Sequence, residues 1–69
     1  MDALKVGCSI AFLRKRYRMT QRALADCLHI SDKAVSKWER GLAIPDVSLL
    51  GKLSVLLDTD IESILEGNI

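Results

Sequence analysis

Residues 20–41, TQRALADCLHISDKAVSKWERG, decide the fold. Thr20 is placed to cap a helix over 21–28, and Ser31 is placed to cap a second over 31–40, each hydroxyl accepting an otherwise unpaired backbone N–H. Ala23 stands where a full capping box would have Glu or Gln, so the first cap is the weaker kind. Leu24, Ala25 and Leu28 share one face of the first helix, and Ala25 is small enough to let a neighbour approach closely. His29, Ile30 and Ser31 leave room only for a tight turn. In the second helix Ala34, Val35 and Trp38 point one way, while Lys33, Ser36, Lys37 and Arg40 recur at i, i+3, i+4 and i+7 on the other. Gly41 then ends it, at a position where a left-handed residue is easily accommodated. A helix with a dry inner face and a cationic outer face fits the width of the DNA major groove and can meet base edges and phosphates there.

Outward from this stretch the pattern predicts three more helices in an all-α, compact five-helix bundle, with no repeat, low-complexity tract or linker. A first helix over 4–17 places Val6, Ile10, Leu13 and Tyr17 on one face, and Lys15, Arg16 and Arg18 near its end complement the helix dipole. Ile44-Pro45 breaks the chain before a fourth helix over 47–57, whose Leu49, Leu50, Leu53, Leu56 and Leu57 are expected in the core. Asp60 is placed to cap a short fifth helix whose Ile61, Ile64 and Leu65 need burial against the bundle or another subunit. Trp38 is expected between the third and fourth helices.

At 69 residues the chain is expected to form one domain, 1–69, close to the size below which disulfides or metals become necessary. Cys8 and Cys27, with eighteen residues between them, match no zinc spacing, and a single possible bridge is no disulfide framework. They read as free thiols; redox sensing is the alternative, with neither a resolving partner nor a depressed pKa indicated. No run approaches the length of a membrane span, and no secretory core or cleavage site is present, so the expected location is cytoplasmic. The net charge of +1 conceals a division. Residues 1–40 hold nine Lys or Arg against four acids, a balance of +5, whereas 41–69 hold Lys52 against five, a balance of −4. Such a molecule can turn its basic half toward phosphates.

The chain resembles the Xre or Cro/repressor family of phage and bacterial helix-turn-helix regulators. The matching residues are Ile10, Leu13-Arg14, Met19-Thr20-Gln21, Leu24-Ala25, Leu28, Ile30-Ser31, the run 34–41, Pro45-Asp46, Leu49-Leu50, Leu53 and Ile64-Leu65. The resemblance implies a lambda repressor-like domain, with the helix-turn-helix at 20–40, acting in transcription as a homodimer on an inverted-repeat operator in double-stranded DNA. It implies that Gln21, at the N-terminus of the second helix, bonds a phosphate with the help of the backbone amides there and buttresses the recognition helix; the alternative is an exposed first-turn residue. By the same alignment Asp32, Lys33, Ser36 and Lys37 face base edges. Lysine can donate to guanine, serine can serve either kind of base, and aspartate can accept from cytosine. Thr20, Ser31, Arg40 and Arg18 are placed at phosphates. For Lys33 and Lys37 the competing reading is a solvated face, and for Asp32 a partner of the helix dipole.

Arg14 and Glu39 match a buried salt bridge tying the first helix to the third. Ile61, Ile64, Leu65 and Ile69 fall on the expected dimer interface, with Leu42 and Ile44 as additions. Arg18, His29 and Asp58 stand where the family has glycine near helix ends. Asp and His tolerate positive φ better than most residues, and Arg18 is expected to carry more strain or to end its helix differently. His29 reads as a turn residue rather than a pH switch or metal ligand, since no second ligand is evident.

An enzyme is not expected: no nucleophile, base and acid converge, no metal cluster or glycine-rich phosphate loop is present, and no cofactor or small-molecule ligand is implied. A protein-interaction module, such as an antitoxin or adaptor, remains the alternative, on the strength of the apolar Leu42-Ala43-Ile44 loop.

Overall fold

A computed structural model describes residues 1–68. Ile69, expected at a dimer interface, lies outside the described residues. Five α-helices follow one another: α1 (Ala3–Arg16), α2 (Gln21–Leu28), α3 (Asp32–Glu39), α4 (Val47–Leu56) and α5 (Ile61–Glu66). Their starts are written in side-chain oxygens. Asp2 Oδ1 accepts from the Leu4 and Lys5 amides at 2.9 and 3.3 Å, Thr20 Oγ1 from Ala23 at 2.9 Å, Ser31 Oγ from Ala34 at 3.3 Å, and Asp60 Oδ1 from Ser63 at 2.7 Å. Asp46 precedes α4 without such a bond and instead accepts from the Ser48 hydroxyl at 3.2 Å.

The ends share a device that the sequence conceals. Arg18, His29, Gly41 and Asp58, at φ 57°, 58°, 73° and 51°, turn the chain left-handed after α1 to α4. In each case the following amide reaches five residues back to close the helix: Met19 to Arg14, Ile30 to Ala25, Leu42 to Lys37 and Thr59 to Ser54, at 2.9–3.0 Å. This bond satisfies a carbonyl that the helix leaves unpaired. Only one of the four pivots is glycine.

Between these caps the apolar positions converge. Val6, Ile10 and Leu13 of α1 meet Leu24, Ala25 and Leu28 of α2, Val35 and Trp38 of α3, Leu50, Leu53 and the adjoining Leu57 of α4, and Ile64 of α5. Four expectations need correction. Tyr17 is 43% exposed because it is the C-cap of α1, where the chain is already turning away from the core-facing row. Leu56 is 38% exposed, on the flank of the row formed by Leu50, Leu53 and Leu57. Ile61 is 38% exposed in the first turn of α5, while Ile64 is fully buried and Leu65 half-buried. Trp38 is buried as expected, but α3 packs principally on α1 and α2 rather than on α4.

The α1–α3 contact depends on Gly7. A Cβ at this position would lie 2.0 Å from the Trp38 carbonyl oxygen, so glycine alone permits the two backbones to approach as they do. The consequence is positional: the C-terminal turn of α3 is seated directly against α1.

Candidate nucleic-acid interface

The inner faces of α2 and α3 are consumed by packing, which leaves one outer face on α3. There Lys33, Lys37 and Arg40 are exposed, with Asp32 and Ser36 half-buried between them and the core. Among the described residues no carboxylate lies within ion-pair distance of these three cations, the ion pairs found being Arg14–Glu39 and Arg22–Asp26. Arg40 Nε leans on the Ser36 carbonyl at 3.4 Å, a weak contact that leaves the rest of the guanidinium to solvent. Ser31 uses a lone pair for its cap, and its hydroxyl hydrogen remains free to donate. Thr20 stands in the same relation to α2. Asp32 occupies the first turn of α3, where its charge meets the positive end of the helix dipole.

Behind this face lies a polar network that holds α3 in register. Arg14 is bidentate to Glu39, Nε to Oε2 at 2.6 Å and Nη2 to Oε1 at 2.8 Å, and its Nη1 donates to the Met19 carbonyl at 2.8 Å. Gln21 Nε2 donates to Glu39 Oε1 at 3.0 Å. One carboxylate therefore joins the end of α1, the start of α2 and the end of α3. The side chains of Arg14 and Glu39 keep only 10% and 9% of their exposure. Burial by itself pushes the Glu39 carboxyl up. The hydrogen bonds from Arg14 and Gln21 and the charges of Arg14 and Lys15 outweigh it and hold the carboxyl below its ordinary value. The bond to Glu39 correspondingly raises Arg14 further, against the opposing effect of its own burial.

Each anticipated residue thus has a place. Asp32, Lys33, Ser36, Lys37 and Arg40 come together along α3, and Ser31 stands at its start. Thr20 and Gln21 begin α2, where the first amides of a helix lack intrahelical acceptors and attract anions. The Gln21 side chain is a buttress to Glu39 and keeps one amide hydrogen unspent. Arg18 is exposed at the α1–α2 corner. Three features escaped sequence reasoning: the Gly7 contact, the Met19 carbonyl as the third acceptor of Arg14, and buried Ser9, whose hydroxyl donates to the Lys5 carbonyl at 2.9 Å. The first had a signal, a glycine inside an otherwise good helix. The other two had none.

Cys8 and Cys27 are free and exposed, and no group of three potential metal ligands is found among the described residues. No helix among them is long and apolar enough to cross a membrane.

A family model described as helix-turn-helix matches residues 10–64. The chain is 42% identical over 65 residues to the transcriptional regulator DicA of Escherichia coli K12, covering 94% of this chain but 48% of DicA. It therefore spans about half the length of that relative. Among solved structures, the restriction-modification controller protein C.AhdI of Aeromonas hydrophila superposes with a TM-score of 0.81 at 25% identity, over 91% of this chain and 96% of that one. Hydroxypropylphosphonic acid epoxidase of S. wedmorenis superposes with a TM-score of 0.83 at 23% identity, over 91% of this chain and 34% of the enzyme. That last likeness shows a shared fold alone.

Proposed function

The chain belongs to the helix-turn-helix family, in its Xre-like branch, and from that premise we propose that it is a sequence-specific double-stranded DNA-binding unit of a transcriptional regulator. One observation carries the reading: α3 buries Val35 and Trp38 while presenting Lys33, Lys37 and Arg40 without neutralising carboxylates among the described residues. Three unpaired cations along one helix are unfavourable for a free protein through mutual repulsion, and the phosphates and purine edges of a major groove answer them.

In this mechanism α3 lies in the groove. Lys33 and Lys37 donate to base acceptors, Ser36 bonds either kind of base, and Asp32 accepts from a cytosine amino group close to the helix start. Arg40, Ser31, Thr20, Gln21 and Arg18 hold phosphates on either side, with the amides at the start of α2 assisting. The Arg14–Glu39–Gln21 network fixes the angle at which α3 enters. One recognition helix covers only a few base pairs, so two copies related by a twofold axis would read an inverted repeat, with centres about 34 Å apart. Ile61 and the half-buried Leu65 belong to the proposed dimer contact, whereas Ile64, expected there from the resemblance, is fully buried in the chain's own core and has no surface to offer a second copy. Residues 1–69 act as one such unit, repressing transcription in the cytoplasm, in association with the nucleoid. The chemistry is binding, with no catalytic step, cofactor or metal.

Selection of bound duplexes from a random double-stranded library at moderate salt tests the reading, with an enriched inverted repeat as the expected result. Absence of any enriched sequence would contradict it. A second reading, a helix-turn-helix module for protein interaction as in an antitoxin or adaptor, is favoured by Leu42 and Ile44 in the loop after α3 and Val47 at the start of α4, which stand 65%, 38% and 78% exposed. Salt-insensitive binding to a protein, without affinity for duplex DNA, is the result that would favour it.

A further inference from the structure

Resting on the DNA-binding reading above, which already sets Arg18 at a phosphate, we propose that Lys15 and Arg16 join Arg18 in a second phosphate clamp at the corner between α1 and α2, gripping the DNA backbone outside the segment that α3 reads.

The first ground is unanswered charge. Lys15, Arg16 and Arg18 lie within four residues, all are exposed, and among the described residues none has a carboxylate in ion-pair range. Arg22, in the first turn of α2, makes a contrast, since Asp26 already holds it at 3.3 Å. The dipole at the end of α1 accounts for attraction to Lys15 and Arg16 within its last turn, but Arg18 lies beyond the helix.

The second ground is rigidity. The corner is closed by the Arg18 amide on the Lys15 carbonyl at 2.9 Å, the Met19 amide on the Arg14 carbonyl at 3.0 Å, and the Arg14 guanidinium on the Met19 carbonyl at 2.8 Å. Cations mounted on a fixed backbone lose less entropy on binding a phosphate than cations on a loose loop. The same backbone runs directly into Thr20 and the start of α2, so the corner continues the line of anion-attracting amides there.

The third ground is placement. Arg14, the neighbour of Lys15, holds Glu39 at the end of α3 with one edge of its guanidinium and the Met19 carbonyl at the corner with another nitrogen, at 2.6–2.8 Å. The corner therefore adjoins the C-terminal end of the recognition helix, where Arg40 is exposed.

The fourth ground is the backbone of Arg18. Its φ of 57° is a conformation that glycine adopts freely and that a side chain with a Cβ adopts at an energetic disadvantage. The turn requires no arginine. Its guanidinium, with no intramolecular ion pair among the described residues, is a charge that the turn itself does not use.

The test compares the wild-type chain with Lys15→Gln, Arg16→Gln and Arg18→Gly, using Lys52→Gln on α4 as a charge-matched control. Binding is titrated at several salt concentrations on the selected duplex, once with flanking DNA and once trimmed at the edges of the repeat. On the flanked duplex each of the three variants is expected to flatten the log–log salt slope by about 0.9, the value for one lost phosphate contact. Trimming should weaken the wild type and have progressively less effect as the clamp cations are removed. The control should keep the wild-type slope.

Arg18→Gly separates binding from folding. Its midpoint of thermal unfolding should rise, as the left-handed strain is relieved, while its salt slope falls. Variants with wild-type slopes and affinities on the flanked duplex would overturn the clamp and leave the recognition-helix reading intact. A wild-type chain that enriches no duplex would overturn both.

Discussion

Residues 1–40 carry nine Lys and Arg against four carboxylates, whereas residues 41–69 carry Lys52 against five. The buried contents differ as well. Ser9 and Arg14, the buried polar side chains, both belong to the first half, and Arg14 leads into the network of Glu39, Gln21 and the Met19 carbonyl. Among the described residues the second half contributes Leu50, Leu53, Leu57 and Ile64 to the core, and its part-buried Ser54 bonds only within α4, to the Gly51 carbonyl at 2.6 Å. Packing is non-directional and tolerates some slippage, while hydrogen bonds specify angle as well as distance. The comparison teaches a division of labour: α4 and α5 supply mass to the core, and directional bonds are reserved for the helices whose mutual angle governs the candidate interface.

The largest effect expected from breaking this division is Glu39→Ala. It leaves the Arg14 guanidinium buried with the Met19 carbonyl as its remaining acceptor and removes the acceptor of Gln21. Loss of one partner of a buried pair typically costs ~3–5 kcal/mol, measurable by urea unfolding. An unchanged unfolding midpoint would show that the network is decorative. The same network sets a pH dependence. Because the Glu39 carboxyl titrates below its ordinary value in the folded protein, its contribution is complete above the unfolded value of about 4.3 and declines as pH falls through the folded one. Stability should therefore fall on acidification below about pH 4, and Glu39→Gln should be less stable at neutral pH and lose that part of the acid dependence.

Gly7→Ala ranks next. The added methyl meets a backbone carbonyl, which cannot rotate aside, so α3 must shift from α1. Overpacking of this kind typically costs ~1–3 kcal/mol, to be read from thermal or chemical unfolding. Wild-type stability would mean that the two helices yield where the geometry says they cannot. The smallest effect sharpens the contrast between buried and exposed charge: Arg22→Ala removes the surface partner of Asp26 on the same basic half. With side chains 73% and 66% exposed, that pair should change stability by only about 0.3–0.5 kcal/mol. A loss comparable to that of Glu39→Ala would erase the distinction.

Much of this was legible in the sequence because its signals are local. Thr20, Ser31 and Asp60 cap the helices that their positions announce, and the bounds of α2 follow directly. The left-handed pivots at Arg18, His29 and Asp58 were readable only through resemblance, since no local propensity favours arginine there. Tyr17, Leu56 and Ile61 were misplaced because helical periodicity reports which side of a helix a residue is on, and says nothing of where the helix stops or how wide the covered stripe is. The Gly7 contact and the convergence of Arg14 on the Met19 carbonyl depend on how helices distant in sequence are set together, which no window of residues records. For the interface, the cationic row of α3 was legible, while the engagement of Gln21 with Glu39 required the fold.

The central claim is that the exposed face of α3 reads bases. It is tested most directly by measuring Lys37→Ala and Arg40→Ala against the selected operator and its full set of single-base variants. The account predicts that Lys37→Ala relaxes preference at one or two positions, losing ~1–3 kcal/mol of discrimination there. Arg40→Ala is predicted to weaken every sequence alike and to flatten the salt dependence. Uniform losses from both substitutions, with every base preference intact, would contradict it.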